Sequence, residues 1–395
     1  MKSVKVKLNK PLKEEYYDEL RKRIFFVASE ITNFQINVED NVINSIDLDI
    51  LDEGDTAEIS KKLIDVVENE IAKQIITAPK IIWQSKRRIE DFDSEIFQKM
   101  TELGMAYEVA EGQVCFAEPM ITLMDALDEK FREIAVDKLN AEEHVYPTLI
   151  SSESLKKCGY FDSFPHMLMF VTRLHNDIDV YQKFLKDYEN GVGLKNCVLD
   201  NADNVDYCLP PTMCYHTYDL LRGKEMKKPN RVITSKGKSF RHESKYYKTI
   251  ERLWDFTIRE IVFLGDKDFV VSCREKFMKE TFKFIDSLGL MGHSEVANDP
   301  FFCNTNTAAK IINQRMLELK YELRLNIANE KTISVASFNF HDKFFGKRFN
   351  ISQNNEQISS GCVGFGIERF AYAFVCQYGV DPKNWPKFSE KLKNL

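Results

Sequence analysis

Two arginine-bearing segments of the chain carry residue types that suit a nucleoside triphosphate. The first segment, FRHESKYYKTIERLWDFTIREIVFLG, spans residues 240–265 and includes Arg241 and Phe256. The second, GCVGFGIERFAYAF, spans residues 361–374 and includes Arg369. Guanidinium groups are planar, permanently charged donors that match phosphate oxygens, and a base can lie between an aromatic ring and an arginine plane. Surface salt bridges of the two arginines are the competing interpretation, because neither segment is specific by itself.

The elements that position these residues are predicted to be central strands flanked by helices. The hydrophobic spacing predicts a long helix from Met120 that leads into a strand before Pro147. The other expected elements are a helix around 165–188, strands at 193–199, 231–240 and 257–264, a helix at 267–288, strands around 317–326 and 331–340, and a glycine turn, GCVGFG, before a helix that starts near Ile367. Centrally grouped strands with helices beside them indicate an antiparallel sheet rather than a doubly wound parallel one.

The first hundred residues predict a small module with the order β-α-β-β-α. VKVKL alternates as a strand, YYDELRKRIFFVASEI has helical spacing, and FQINVEDNVINSIDLDIL predicts a hairpin that turns at residues 39–41. AEISKKLIDVVENEIAKQI is an amphipathic helix, and residues 78–105 resemble a connector. We therefore expect two domains, an N-terminal α+β module of unknown role plus connector at 1–105 and a larger domain at 106–395.

Composition and charge limit the classes of function. The 395 residues are 44% hydrophobic and 29% charged, with a net charge of −6. Residues 1–105 hold 16 Lys and Arg against 21 Asp and Glu, which argues against broad contact with a phosphate backbone. The sequence has neither a membrane-spanning apolar run of about 18 residues nor a secretory signal at its start, so a cytoplasmic protein without a membrane partner is expected.

The nine cysteines do not predict a disulfide framework. Their number is odd, no pair has the CxxC spacing, and a cytosolic setting disfavours disulfides. Most of them are expected to be buried small hydrophobic residues or free thiols.

Taken in chain order, the three central segments resemble motifs 1, 2 and 3 of class II aminoacyl-tRNA synthetases. The long helix, strand and Pro147 correspond to motif 1, FRHE…F–RE to motif 2, and G–GFG–ER to motif 3. Within that class the chain is most similar to the amino acid:[carrier protein] ligases, which are truncated relatives of seryl-tRNA synthetase. The supporting strings are LPPTMCYHTYDLLRG (209–223), EVANDPFFCNTN (295–306), LELKYELRL (317–325) and ISVASFNFHDKFFGKRFNI (333–351).

The resemblance covers about residues 110–386 and does not obviously include the N-terminal module. It implies an α+β fold in which an antiparallel sheet flanked by helices forms a class II catalytic domain.

The resemblance further implies a catalytic zinc ion bound by Cys214, Glu260 and Cys362. The separations of 46 and 102 residues would not identify this site by themselves. Three protein ligands leave a fourth position open, as in catalytic zinc sites, and that position can take the neutral α-amino group of the substrate. The competing interpretation is two buried thiols and a salt bridge at the end of a strand.

The same resemblance assigns nucleotide-binding roles. Arg241 would bind the α-phosphate of ATP and stabilise the charge that develops there. Glu243 would contact the adenine amino group or an ordered part of ATP, Phe256 would stack on adenine, and Arg369 would bind the γ-phosphate. Arg252 lies in the loop of motif 2 and is expected to reach the phosphates.

Mg²⁺ is expected to accompany ATP by bridging phosphate oxygens. Ser337 and Asn339 lie on the strand expected to border this metal and the α-phosphate, but seryl synthetases have an acidic residue on that strand and ISVASFN has none. The Mg²⁺ ligands are therefore left open. Lys320 and Glu322 either line the substrate pocket or have a structural role.

The expected reaction is ATP-dependent activation of a small amino acid such as Gly, Ala or Ser as its aminoacyl adenylate. The acceptor implied by the resemblance is the phosphopantetheine thiol of an acyl or peptidyl carrier protein. The chain has no coiled-coil arm and its N-terminal part is acidic, which makes tRNA the less favoured acceptor, although an acidic module would also repel an acidic carrier protein.

Two alternatives stay open, a seryl-type aminoacyl-tRNA synthetase with an unusual N-terminal domain and a non-catalytic synthetase paralogue. The joint presence of the arginines and of all three metal ligands argues against the paralogue. Class II catalytic domains dimerise through motif 1, so a homodimer is expected.

Overall fold

A computed structural model of the protein describes residues 1–74, 79–243, 249–299 and 307–393. Its N-terminal part is a three-stranded antiparallel sheet of order β1-β3-β2 packed on a helix. The elements are β1 (Lys2–Lys13), α1 (Tyr17–Arg21), β2 (Ile31–Glu39), β3 (Val42–Ile50) and α2 (Thr56–Val66), which continues as a π-helix to Ile71. The predicted β-α-β-β-α order is confirmed, and the predicted hairpin turns at Asp40 and Asn41, both of which have positive φ.

The segment predicted to be a connector contributes to the large sheet. It contains β4 (Ile81–Gln84) and α3 (Ile96–Glu102). Strand β4 pairs antiparallel with a strand of the second domain, and Ile96 and Met100 are buried in the core of that domain. The division at residue 105 stays a prediction, and this packing leads us to propose a boundary between residues 74 and 81.

The large sheet has eight strands in the order β4-β13-β14-β15-β18-β12-β11-β7. Its pairings are antiparallel except that between β7 and β11. Besides β4, its strands are β7 (Glu142–His144), β11 (Arg231–Phe240), β12 (Asp255–Gly265), β13 (Gly292–Val296), β14 (Lys320–Asn326), β15 (Thr332–Asp342) and β18 (Ser359–Gly366). The helices of this domain outside the insertion described below include α4 (Met120–Glu133), α10 (Lys267–Leu288), α11 (Thr307–Met316), α13 (Ile367–Tyr378) and α14 (Glu390–Lys393). Strands β5 (Ala106–Ala110) and β6 (Gln113–Phe116) form a separate two-stranded sheet. This arrangement confirms the predicted α+β class with an antiparallel-dominated sheet.

Helices α4, α10 and α13 cover one face of this sheet and form the main core. Aromatic residues dominate it, and the rings of Phe131 and Phe365 stack with their centroids 3.8 Å apart. Alternate residues of each strand point away from this core. The opposite face is therefore the one on which polar side chains can meet a ligand.

An insertion between β7 and β11 packs against one end of that opposite face and forms a second core. It contains β8 (Ile150–Ser151), α5 (Ser152–Lys157), α6 (Tyr160–Ser163), β9 (Phe170–Val171), α7 (Ile178–Glu189), α8 (Leu194–Leu199), β10 (Tyr207–Cys208) and α9 (Cys214–Leu220). The short elements α12 (Phe344–Phe349), β16 (Ser352–Gln353) and β17 (Glu356–Gln357) follow β15.

Of two elements predicted in the insertion, one is confirmed only in its second half and the other is wrong. The helix expected around 165–188 begins only at Ile178, where the Asp177 side chain accepts a hydrogen bond from the Asp179 amide. The strand expected at 193–199 is helix α8. Its one buried residue is Cys197, so this short segment has no period of two that would place alternate residues in a core.

The predicted glycine turn, GCVGFG, is also wrong, because residues 359–366 form the central strand β18. Glycine at position 361 reflects close packing between strands. A Cβ atom there would lie 2.6 Å from the backbone oxygen of Asn339 on β15. The helix predicted to start near Ile367 is confirmed as α13.

Eight of the nine cysteines lie in the described parts of the chain, and all eight are free thiols, seven of them buried. This confirms the expectation from their number and spacing. Cys303 lies outside the described residues. None of the helices in the described ranges combines the length and the apolar composition that a membrane span requires.

Candidate active site

The polar face of the large sheet collects most of the predicted site residues. Lys320 and Glu322 of β14 lie opposite Asn339 and Ser337 of β15. Asn339 in turn lies opposite Cys362 of β18. Because side chains alternate along each strand and these positions are in register, all five share one face.

A compact group of three potential metal ligands lies on this face. The ligand atoms of Cys214, Glu260 and Cys362 all lie within 4.8 Å of one another, and all three residues are buried. Glu260 and Cys362 come from the paired strands β12 and β18, with Val262 directly opposite Cys362, and Cys214 is the first residue of α9. We call these three residues the metal cluster.

The metal cluster has a donor set that suits a cation, although burial favours its neutral forms. Burial raises the pKa of Glu260 and raises that of Cys214 to about 11. The hydrogen bond with Cys214, together with burial, raises the pKa of Cys362. A bound cation would reverse this preference for the neutral forms. Ligand atoms around one tetrahedral zinc ion lie about 3.3–3.8 Å apart, so small movements would close the cluster around an ion.

Neighbouring polar groups already orient the metal cluster. Thr212 Oγ1 donates a 2.6 Å hydrogen bond to Glu260 Oε2 and lies 3.7 Å from the Cys214 sulfur. Asn339 Nδ2 donates to the Cys362 sulfur at 3.4 Å. Thr212 was not predicted, although it lies in the string LPPTMCY two residues before Cys214. Asn339, on the strand expected to border Mg²⁺ and the α-phosphate, contacts the metal cluster; its expected role stays a prediction.

A second group consists of three arginines around one carboxylate. Glu243 is 7% exposed, and its Oε1 atom lies 3.5 Å from Arg252 Nη1 and 3.9 Å from Arg369 Nη2. The Arg241 guanidinium lies 5.3 Å from the centroid of the Phe256 ring. We call Arg241, Arg252 and Arg369 the arginine cluster.

The arginine cluster has more positive than negative charge. Burial would raise the pKa of Glu243, but the arginines Arg252, Arg369 and Arg241 hold it below its ordinary value. Burial lowers the pKa of Arg369, and the other two arginines act in the same direction. A polyphosphate is the type of ligand that would compensate three guanidinium groups held this way.

The two clusters are close enough to interact. Arg241 Nε donates a 3.0 Å hydrogen bond to the Pro211 carbonyl oxygen, and the adjacent residue, Thr212, donates to Glu260 of the metal cluster. A nucleotide held by the arginine cluster would therefore lie beside the metal cluster.

Lys320 and Glu322 form part of an ion network. Lys320 Nζ lies 2.7 Å from Asp299 Oδ1 and 3.1 Å from Glu322 Oε1. Arg324 lies 3.3 Å from Glu322. These contacts support a structural role for both predicted residues without excluding contact with the substrate. Asp299 belongs to the string EVANDPFFCNTN, of which residues 300–306 lie outside the described residues.

Comparison with known proteins identifies two groups of relatives, although no family model matches the chain. The chain is 25% identical over 382 residues to the type-2 serine–tRNA ligase of Methanococcus aeolicus. This alignment covers 92% of this chain and 70% of the relative. It is 30% identical over 272 residues to the amino acid–[acyl-carrier-protein] ligase 1 of Bradyrhizobium diazoefficiens. That alignment covers 68% of this chain and 80% of the relative.

Solved structures show the same fold. M. kandleri SerRS, in a complex with A. aeolicus tRNASec, superposes with a TM-score of 0.71 at 20% identity, over 99% of this chain and 76% of its own. The cytoplasmic serine–tRNA ligase of Naegleria fowleri, in complex with AMP, superposes with a TM-score of 0.58 at 13% identity. This superposition covers 82% of this chain and 66% of the ligase chain. The similarity to serine–tRNA ligases thus includes the N-terminal module, which the expected range of 110–386 left out. The alignment with the carrier-protein ligase spans 272 residues, close to the length of that range.

The sheet topology, the superposition and the 30% identity over four-fifths of the carrier-protein ligase lead to one conclusion. The chain belongs to the class II aminoacyl-tRNA synthetase-like family.

Proposed function

We propose that the protein uses ATP to activate a small amino acid as its aminoacyl adenylate, with zinc bound by Cys214, Glu260 and Cys362. The proposal rests above all on the proximity of the arginine cluster and the metal cluster on one side of the sheet. One group suits a triphosphate and the other suits a cation with an open coordination position. Together they can bring an amino acid and ATP into reaction distance.

The arrangement suggests how the activation step proceeds. Zinc, when bound, would act as a Lewis acid that holds the neutral α-amino group of the substrate. The substrate carboxylate then attacks the α-phosphorus, while Arg241 stabilises the charge that develops there. Phe256 faces the adenine ring, and Arg252 and Arg369 neutralise the departing pyrophosphate.

Mg²⁺ would accompany ATP. The strand ISVASFN has no acidic residue, but Glu322 of β14 lies directly opposite Ser337 of β15. We propose Glu322, whose carboxylate pairs with Lys320 and Arg324 in this structure, as a Mg²⁺ ligand at this position, because a hard cation prefers carboxylate oxygen.

We propose the phosphopantetheine thiol of an acyl or peptidyl carrier protein as the acceptor. The thiol sulfur would attack the adenylate carbonyl, AMP would leave, and an aminoacyl thioester would form. The Bradyrhizobium relative, an amino acid–[acyl-carrier-protein] ligase, supports this choice with the highest identity of the relatives described above.

Transfer to tRNA is the second candidate, because the similarity to type-2 serine–tRNA ligases covers 92% of this chain and includes the N-terminal module. Lysines exposed along the edge strand β1 could contact phosphates, although edge lysines also prevent strand association. These lysines are Lys2, Lys5, Lys7, Lys10 and Lys13.

We further propose a cytoplasmic homodimer that associates through α4 and β7, the motif 1 elements. Strand β7 is an edge of the large sheet, and Val145, just beyond it, is 91% exposed. An edge strand with an exposed apolar residue is a suitable surface for a second copy.

Amino acid-dependent exchange of labelled pyrophosphate into ATP tests the activation step. We expect exchange with one or a few small amino acids, and no exchange with any common amino acid would contradict the proposal. Cys214→Ser should abolish exchange while the protein stays folded. Cys158→Ser is the matched control, because Cys158 is a buried thiol of the same core outside the metal cluster. Unchanged exchange in Cys214→Ser would refute the zinc assignment.

The acceptor is tested by offering the same preparation a holo carrier protein and tRNA in parallel. Aminoacylation of the carrier protein alone is the expected result. Aminoacylation of tRNA alone would establish the second candidate in its place.

A further inference from the structure

A histidine borders the metal cluster without belonging to it. His341 lies near the end of β15, two residues after Asn339, and its Nε2 atom lies 3.8 Å from the Cys362 sulfur. The ligand atoms that lie within 4.8 Å of one another come from three residues, and His341 is not among them. The imidazole is therefore placed to donate to a metal-bound thiolate rather than to bind the ion.

The other side of the imidazole faces two hydroxyl groups. His341 Nδ1 lies 3.2 Å from the Tyr218 hydroxyl and 3.5 Å from Ser360 Oγ. When either hydroxyl donates a hydrogen bond to Nδ1, the imidazole proton lies on Nε2, facing Cys362. A hydrogen bond accepted by Nδ1 thus selects the tautomer in which Nε2 carries the proton and can donate it to Cys362.

The ring positions are restrained by packing. The Tyr218 ring stacks on Phe345 with centroids 4.1 Å apart, and the His341 ring meets the same phenylalanine edge-on at 4.9 Å. Tyr218 follows Cys214 by four residues on α9, so both side chains lie on the same side of this helix. One helix therefore supplies a cluster cysteine and also holds the histidine that faces the other cysteine.

We propose that His341 is a positioning residue of the metal centre, whose Nε2–H donates to the Cys362 thiolate while Tyr218 fixes its tautomer. Such outer hydrogen bonds orient a metal ligand and withdraw electron density from it. This inference rests on the proposed metal function of Cys214, Glu260 and Cys362.

The test uses Co²⁺ as a spectroscopic probe in the 395-residue protein. Co²⁺ affinity is measured by competition with a chelator, and the thiolate-to-cobalt absorption band is recorded. Removal of the donor in His341→Leu should weaken Co²⁺ binding about 10- to 100-fold and move the band to lower energy, because the thiolate becomes more electron-rich. His341→Gln, which keeps an N–H donor, should recover part of both effects.

Tyr218→Phe should change affinity and absorption in the same direction by a smaller amount. The double variant should be no worse than His341→Leu alone, because the tyrosine acts through the histidine. Tyr218→Phe also tests the proposal if the leucine variant does not fold. The control is His216→Leu, which removes a buried histidine of the same helix, stacked on Tyr146, and should leave the cobalt spectrum unchanged.

Unchanged affinity and absorption in His341→Leu would overturn the inference and leave the metal centre intact. A change in the ligand-field bands that indicates loss of a nitrogen ligand would also overturn it, because His341 would then bind the ion directly. If the wild-type protein binds neither Co²⁺ nor Zn²⁺, the proposed metal function itself fails, and the inference fails with it.

Discussion

Removal of the carboxylate from the arginine cluster tests the electrostatic design of the site. Glu243 Oε1 lies 3.5 Å from Arg252 Nη1 and 3.9 Å from Arg369 Nη2. At an effective dielectric constant of about 20, unit charges at these separations attract by roughly 4 kcal/mol. The Arg252 side chain is 30% exposed and water screens it, so we expect Glu243→Gln to lower the free energy of unfolding by about 2–3 kcal/mol.

The same charges predict how an anion alters this loss. In Glu243→Gln the three guanidinium groups repel one another without the Glu243 carboxylate, and a polyphosphate would replace the missing negative charge. Tripolyphosphate is the suitable probe, because it has no adenine ring that could contact residue 243. Urea unfolding followed by tryptophan fluorescence and circular dichroism, at saturating tripolyphosphate, should show a loss below about 1 kcal/mol relative to the wild type.

Glu251→Gln is a matched control, because Glu251 has the same 7% exposure as Glu243. Its partner is Lys331, at 2.6 Å, outside the arginine cluster. Its substitution should destabilise the protein without any recovery in tripolyphosphate. The reasoning is refuted if Glu243→Gln is as stable as the wild type, or if tripolyphosphate protects both glutamine variants equally.

Two further predictions concern packing and pH. A Cβ atom at Gly364 would lie 2.9 Å from the side chain of Ile258 and 3.5 Å from Glu260 Oε1. Gly364→Ala should therefore displace Glu260 and lower the affinity for zinc about tenfold. Elemental analysis measures the zinc content, and competition with a chelator measures the affinity. Gly366→Ala, whose Cβ would meet nothing closer than 3.9 Å, should bind zinc normally; equal losses in both would contradict the reasoning. Burial alone would raise the pKa of Asp299, but Lys320 holds it below its ordinary value of 3.8, so this pair stabilises the fold at neutral pH and ceases to do so as pH falls through the folded pKa. The Asp299 side chain is 34% exposed and water screens it, so Asp299→Asn should cost about 2 kcal/mol at pH 7, below the cost for a fully buried pair, and nothing in strong acid. A deficit independent of pH in urea unfolding would refute this.

Local sequence signals predicted the limits of an element well where capping residues mark both of its ends. The helix expected at 267–288 is observed with those limits, because Asp266 accepts a hydrogen bond from the Phe269 amide at its start and Gly289 has positive φ at its end. The strand at 193–199 and the glycine turn at 361–366 were wrong. For the glycine segment, pairing with the distant strands β12 and β15 decided the conformation, and a local pattern does not contain that information. For the other segment, only Cys197 is buried, so no alternation of buried residues required a strand.

The sequence alone determined which side chains of a strand can act together. Arg259 and Glu260 are adjacent, so they lie on opposite faces of β12. Arg259 forms a bidentate pair with Asp128 at 2.7 and 2.9 Å, while Glu260 faces Thr212. The arginines, the glutamate and the family motifs were likewise evident from residue types and their order.

Only the tertiary structure brought the metal cluster together. Its ligands are separated by 46 and 102 residues, and they meet because β18 lies between β15 and β12 in the sheet, with Val262 opposite Cys362. The order and register of strands that are not consecutive in the chain depend on how their hydrophobic faces pack in the whole domain. For that physical reason the chain order could suggest the chemistry, whereas the fold decided which atoms meet.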